Sequence, residues 1–301
     1  MSGVIFAMPG NESFAAQLGA HLRVPLGTLE ARKFPDGESY IRIASSVRDC
    51  SAALVATLAD PDPKVVPLIL AARTLRELGA RRVGLIAPYL AYMRQDYRFN
   101  EGEAVSARQF ASLLSPSFDW LVTLDPHLHR IHALSEIYPI PTAIAHAAPD
   151  LAAWIGANVA NPFLIGPDEE SEQWVGSVAQ LCRVPSTCLK KVRLGDRKVR
   201  MRWPGHDIPQ GRTPVLLDDI VSSGETMLQA VRLVREKTDM APICVAVHGL
   251  FSELADAALE DVGARLVCTN SVATRKSQID ISRAVAQSAE SFLAIQGAIR
   301  Q

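Results

Sequence analysis

Residues 215–227 read VLLDDIVSSGETM, and the punctuation of this stretch decides the fold. Thr213–Leu217 is an apolar run with the composition of a buried strand. Two adjacent carboxylates, Asp218 and Asp219, follow it, and Ser222, Ser223, Gly224 and Thr226 then open a helical pattern. Strand, polar turn and helix in succession are the building unit of a parallel α/β sheet. Such a turn aims main-chain N–H groups and hydroxyls at one point, and the helix N-terminus adds partial positive charge. The adjacent acids can accept hydrogen bonds from a sugar diol. The combination suits a sugar phosphate, with its diol on Asp218 and Asp219 and its phosphate on Ser223–Thr226. Taken alone, the same residues also make an Asp-rich helix N-cap that binds nothing. Their position at a strand's carboxyl end, where open α/β sheets take ligands, favours the ligand.

The same alternation runs through the chain. Ser51–Leu58, Arg82–Ala87, Trp120–Leu124, Pro162–Ile165, Ile243–His248 and Arg265–Cys268 read as further buried strands. Val65–Leu78, Val105–Leu114 and Thr226–Lys237 read as amphipathic helices. Ser51–Tyr89 and Thr213–Gly249 share one plan of strand, acid, turn, helix and strand, which predicts two copies of one α/β fold with a boundary near Ile140–Pro149. The expected organisation is therefore two tandem, mostly parallel sheets flanked by helices, over 1–143 and 144–285. Residues 286–301 are expected to form a C-terminal helix packing on the first domain. In the first copy the turn is Asp60-Pro61-Asp62-Pro63, without the glycine and hydroxyls of the second, so it is not expected to grip an anion.

A length of 301 residues suits two domains of roughly 150 each. Hydrophobic residues at 48% and charged residues at 21% exclude disorder by composition. Thirty-one basic residues against 32 acidic ones leave a net charge of -1, so no global charge drives the chain onto nucleic acid or anionic lipid. The N-terminus lacks the basic region of a signal peptide. Val65–Ala72, the most apolar internal stretch, is far short of a membrane span and contains Pro67. Cysteines 50, 182, 188, 244 and 268 never fall at CxxC spacing, which disfavours a disulfide framework or zinc site. A cytoplasmic protein is expected.

Five more segments carry chemistry. Phe34-Pro35-Asp36-Gly37-Glu38 places an aromatic ring beside two acceptors across a tight turn. Phe34 can stack on a purine whose amino group Asp36 or Glu38 accepts; taken alone, the segment is a turn with a buried Phe. Tyr92–Arg98 (YMRQDYR) follows a strand, so Arg94 and Gln95 can hold a nucleotide, with Arg94 pairing to phosphate oxygens, Arg98 assisting and Asp96 fixing Arg94. The plain alternative is a solvated polar loop. Asp125-Pro126-His127-Leu128-His129 also follows a strand. A lone His is a weak magnesium ligand by chemistry, and no two-His-plus-carboxylate spacing supports a transition metal. Asp168, in Pro167–Ser171 (PDEES), ends another strand. Residues 190–202 (KKVRLGDRKVRMR) hold seven Lys or Arg in thirteen positions. They read as a nucleic-acid patch or as a β-hairpin turning at Leu194-Gly195-Asp196.

The loop at 218–226 resembles the phosphoribosyl-diphosphate loop of type I phosphoribosyltransferases. With FPDGE, YMRQDYR, DPHLH, PDEES and KVR in order, residues 1–285 resemble the ribose-phosphate diphosphokinase family, and its divergent archaeal-like branch in detail. The resemblance implies transfer of the β,γ-diphosphoryl group of Mg-ATP to the C1 hydroxyl of ribose 5-phosphate, giving phosphoribosyl diphosphate and AMP. It implies ATP binding by Phe34, Asp36, Glu38, Arg94, Gln95, Asp96 and Arg98, and Mg2+ at His127 and Asp168. Ribose 5-phosphate would lie on Asp218, Asp219, Ser222, Ser223, Gly224, Glu225 and Thr226. A mobile arm would bring Lys191 and Arg193 as catalytic residues to the transferring group. It also implies a homodimer or larger homo-oligomer sharing the ATP pocket. Tyr97, Pro126, Glu169, Glu170, Ser222 and Glu225 depart from the common bacterial pattern, and an inward-pointing Glu225 would repel the phosphate. Alternatives are a phosphoribosyltransferase, a non-catalytic regulatory homologue, or a nucleic-acid-binding regulator resting on 190–202 alone.

Overall fold

The computed structural model describes residues 3–193, 199–205 and 208–293, and for residues 170, 173, 191–193, 199, 200 and 253 the main chain alone. The chain divides into two compact units: one runs to His146 and resumes at Ser282, the other spans Ala147–Ile281.

In the first unit, β1 (Gly3–Ala7) and α1 (Glu12–Leu22) lead into an antiparallel hairpin, β2 (Leu29–Lys33) and β3 (Ser39–Ile43). Then come β4 (Ser51–Val55), α2 (Asp62–Glu77), β5 (Arg82–Ala87), α3 (Ser106–Leu114), β6 (Trp120–Leu124) and β7 (Thr142–Ala145). Strands β1, β4, β5, β6 and β7 hydrogen-bond in that order, each pair parallel. Every residue of β4 and β6 is buried, which is why both read as unbroken apolar runs: helices cover both faces of a parallel sheet. The expected strand Ser51–Leu58 stops at Val55. Gly84 on β5 exists for Trp120 on β6, because a Cβ there would lie 1.9 Å from the indole.

The second unit repeats this order. It contains α4 (Ala148–Asn158), β8 (Pro162–Gly166), α5 (Glu172–Cys182), β9 (Ser186–Cys188) and the antiparallel hairpin β10 (Lys190–Arg193) and β11 (Val199–Arg202). Next are β12 (Thr213–Val221), α6 (Glu225–Arg235), β13 (Ile243–Gly249), α7 (Glu253–Asp261), β14 (Arg265–Thr269) and β15 (Ser277–Ile279). The sheet runs β15-β14-β13-β12-β8-β9, all parallel. Its core gathers Phe163, Ile165, Leu189, Leu216, Met227, Val231, Val234, Leu259 and Leu266. The strand expected to end at Leu217 continues to Val221. Asp218, Ile220 and Val221 stay in register with Ala246, His248 and Gly249 of β13, so the paired acids belong to the strand's last turn.

The last described element is α8 (Ser282–Leu293), in the first unit; residues 294–301 of the expected C-terminal helix lie outside the described residues. Val285, Ala286, Ala289 and Leu293 are its buried face. Phe292 stacks on Trp120 at 4.9 Å between centroids and 9° between planes, and its carbonyl accepts from Ser51 Oγ at 3.3 Å. Each large apolar side chain buried this way contributes about 1.5–3 kcal/mol. No cysteine forms a disulfide, and among the described residues no helix is long and apolar enough to cross a membrane.

Candidate active site

In the second unit the candidate residues gather at the carboxyl ends of β8 and β12, which are neighbours in the sheet. Asp218 and Asp219 are half-buried, and each accepts the N–H of the next residue, Asp219 N at 3.0 Å and Ile220 N at 2.8 Å. Lost hydration, then the charges of Asp219 and Asp168, push the Asp218 carboxyl well above the ordinary carboxylate range. Three carboxylates thus crowd one edge. Asp168 caps the turn Glu169–Ser171: its Oδ1 accepts Ser171 N at 3.1 Å, and its carbonyl accepts Ser171 Oγ at 2.6 Å. Gly166, just before it, has no room for a side chain, since a Cβ would fall 2.4 Å from Ser171 Oγ and 2.5 Å from Cys188 Sγ.

After β12, Ser222 is half-buried and Ser223 exposed, and the chain turns at Gly224 with φ +74° to enter α6. Only glycine holds that backbone cheaply, and a Cβ there would also press on Ala255 Cβ at 3.1 Å. Thr226 is half-buried, whereas Glu225 is exposed at the first helical position. Its side chain therefore lies in solvent, where an acid favours a helix N-terminus. Glu169 is likewise exposed. The stretch 190–202 is a hairpin, pairing Lys191 with Met201 and Arg193 with Val199. Lys191 and Arg193 thus alternate with Val192 along β10; their side chains, and residues 194–198 with the expected turn, lie outside the described structure.

In the first unit, Phe34–Glu38 closes the β2–β3 hairpin. Phe34 N donates to Glu38 O at 2.8 Å, Gly37 N to Phe34 O at 2.9 Å, and Glu38 N to Asp36 Oδ1 at 3.1 Å. The turn is as expected, but the buried Phe is not. Phe34 is 39% exposed, lies edge-on to Tyr40 at 5.9 Å, and shares Arg32, whose guanidinium carbon is 4.7 Å from one ring and 4.2 Å from the other.

The loop after β5 carries an exposed Arg94, a half-buried Gln95 whose Oε1 accepts Ser106 Oγ at 3.0 Å, and an exposed Arg98 whose Nε donates to Glu103 O at 2.8 Å. Asp96 is buried at 7% exposure and accepts Arg130 N at 3.0 Å and Arg130 Nη1 at 3.1 Å. Burial would raise this carboxyl, yet the two Arg130 donors and the guanidinium charge together hold it below its ordinary value. The partner expected from sequence was Arg94; a residue 34 positions away supplies these bonds instead.

Asp125, directly after β6, adopts φ +32° and sets its Oδ1 2.8 Å from His146 Nδ1. His127 is half-buried, and its ring meets His129 edge to face at 4.0 Å, so a residue read as uninvolved packs on a candidate ligand. Arg130, His129 and His146 had no local signal in the sequence. Each matters through a partner that the strand order brings close.

A sheet of this order in each unit, with an acid-serine-glycine loop after β12 of the second sheet, defines a phosphoribosyltransferase-type α/β protein. The family model for the N-terminal domain of ribose phosphate pyrophosphokinase matches residues 3–117, and that for the phosphoribosyl transferase domain matches residues 133–272. The ribose-phosphate pyrophosphokinase of Saccharolobus solfataricus is 35% identical, with 89% of this chain and 93% of that one aligned. Its counterpart in Methanopyrus kandleri is 30% identical over 96% and 99%. The crystal structure of phosphoribosylpyrophosphate synthetase from Mycobacterium smegmatis superposes with a TM-score of 0.82 at 25% identity, covering 97% and 98% of the two chains. The chain belongs to the ribose-phosphate pyrophosphokinase family of enzymes.

Proposed function

We propose that this enzyme transfers the β,γ-diphosphoryl group of ATP to the C1 hydroxyl of ribose 5-phosphate, releasing AMP and 5-phosphoribosyl 1-diphosphate for nucleotide biosynthesis. The observation that carries the reading is the loop after β12: crowded carboxylates at the strand ends, then serines and a left-handed glycine opening α6. Asp218 and Asp219 orient the ribose hydroxyls, and Ser222–Thr226 cradle the 5-phosphate with main-chain N–H groups and hydroxyls. Phe34, Asp36, Glu38, Arg94, Gln95 and Arg98 hold the nucleotide, with Asp96 supporting the loop.

In an in-line displacement the C1 oxygen bonds to the β-phosphorus as the bond to the α-phosphate oxygen breaks and AMP departs. Little covalent help is needed, but charge spreads over the equatorial oxygens. Lys191 and Arg193, on one face of β10, are the residues assigned to stabilise it. Asp168 and Asp219, whose charges bear on Asp218, make an oxygen-rich strand end of the kind an oxygen-preferring divalent cation takes. One Mg2+ would be held at His127 and a second at Asp168, each neutralising phosphate charge when bound. The enzyme is read as cytoplasmic and as a homo-oligomer in which the Phe34–Glu38 hairpin serves a neighbouring copy's ATP, in keeping with that tip's exposure.

The test is AMP release from Mg-ATP with and without ribose 5-phosphate. AMP should appear only with the sugar and fall about 10²–10³-fold in Lys191→Ala and in Arg193→Ala. Nucleotide binding without AMP release would instead make the chain a regulatory homologue.

A further inference from the structure

The loop after β5 and the loop after β6 are joined by Arg130, a residue without a role in the proposed chemistry. Its main-chain N–H and its guanidinium grip the two oxygens of one buried carboxylate, Asp96, at 3.0 and 3.1 Å. The guanidinium carbon also lies 5.3 Å from the Phe99 ring centroid and 5.8 Å from that of Tyr97, rings that meet edge to face at 6.0 Å. Both rings are more than half exposed, so their packing partner on this side is a cation rather than the core. The far half of the β5 loop is tied differently. Glu103 accepts Phe99 N and Asn100 N, each at 2.9 Å, and Arg98 Nε donates to the Glu103 carbonyl. Asp96 and Tyr97 therefore form the stretch that faces the β6 loop, directly after Arg94 and Gln95.

We propose that Arg130 is a positioning residue for the nucleotide. Through Asp96 and the Tyr97–Phe99 rings it locks the loop carrying Arg94, Gln95 and Arg98 to the loop carrying His127, so that nucleotide and phosphate contacts keep one spacing. The inference rests on the nucleotide-binding reading of these loops. Arginine suits the task because one planar group can bond a carboxylate and face two rings at once, which lysine cannot reproduce. Tyr97, one of the departures from the common bacterial pattern, then has a place beside Arg130: its ring faces the guanidinium that comes from the next loop.

The test compares Arg130→Gln, Arg130→Lys and Asp96→Asn with Asp96→Asn/Arg130→Gln in the full-length enzyme. KM for ATP should rise about tenfold in Arg130→Gln, while KM for ribose 5-phosphate stays within twofold and Tm within about 3 °C. Arg130→Lys should recover part of the loss. The double variant should be no worse than Asp96→Asn, because two members of one contact are not additive. An unchanged KM for ATP in Arg130→Gln overturns the proposal. So does a parallel rise of both KM values with a fall in Tm, which marks a purely structural role. Should Arg130→Gln fail to fold, Arg130→Lys decides on the same readouts. Wild-type enzyme that binds no ATP would instead defeat the nucleotide reading itself, a result visible before any variant is made.

Discussion

Strands β4 and β12 each end in a loop leading to a helix, and the two loops have opposite fates. After β4, Lys64 Nζ donates to the carbonyls of Thr57, at 3.1 Å, and Ala59, and Asn11 Oδ1 accepts Thr57 N at 2.8 Å. The space is filled by the chain's own cation and amide, and burial pulls the Lys64 ammonium below its ordinary pKa against the opposing charge of Asp60. After β12 carboxylates crowd the edge instead, and Gly224 opens the helix at φ +74°. The first loop is closed by a cation from its own helix, whereas the second concentrates acids and hydroxyls, the groups proposed above to meet the sugar phosphate. A buried polar group needs a partner, and in the first loop Lys64 and Asn11 provide it.

The sharpest way to break the comparison is to remove acids from both loops. Asp218→Ala with Asp219→Ala should lower AMP release about 10²–10³-fold, whereas Asp60→Ala with Asp62→Ala should change it less than twofold; equal losses would mean that both loops serve substrate. Next in size is Gly224→Ala, which forces a Cβ into a left-handed turn and against Ala255. It should cost about 1 kcal/mol of stability and raise KM for ribose 5-phosphate about tenfold, read from a Tm scan beside steady-state kinetics.

Lys64→Ala probes the closed loop. Leaving two carbonyls without their donor should cost about 1–2 kcal/mol by denaturant unfolding, with KM for ribose 5-phosphate untouched. The smallest effect belongs to His146→Ala. The hydrogen bond to Asp125, then that carboxylate's charge, raise the His146 pKa against an opposing desolvation. A raised folded-state pKa stabilises below the unfolded value near 6.5 and the gain is lost as pH rises through the folded value. The variant should thus be less stable than wild type at pH 6, by a few tenths of a kcal/mol given the exposed imidazole, and equal to it at pH 9. A gap that widens with pH would reverse the assignment.

The repeat behind the comparison was legible in part. The acids, turn and helix at 218–226 announced themselves because backbone and ligand demands act on consecutive residues. A subtler echo lay in Arg23-Val24-Pro25 and Arg183-Val184-Pro185. Each arginine takes the left-handed position ending a helix, at φ 55° and 56°, and each proline carbonyl accepts the N–H of a strand residue, Ile5 and Leu164. The hairpins also correspond, since β2–β3 immediately precedes β4 and β10–β11 immediately precedes β12, the strands that end in the two loops. The strands β1, β7, β9 and β15 and the helices α1, α4, α5 and α7 were not singled out. They are short or weakly periodic, and neighbours rather than local pattern hold them.

By itself the sequence determined the class of fold, the strand-end loops and the residue types that could meet a sugar phosphate and a nucleotide. These depend on local periodicity, turn chemistry and charge, which neighbouring residues carry. Only the tertiary structure decided that Asp96 serves Arg130, that Asp125 meets His146, that Phe34 is exposed and that Lys64 closes the first loop. Two of those facts join side chains across loops that strand order brings together, Phe34 sits at a hairpin tip where no core reaches it, and a lysine's four-carbon stem reaches carbonyls of its neighbouring loop. Sequence spacing says nothing about such meetings, because the energy that selects them exists only once the sheet has formed.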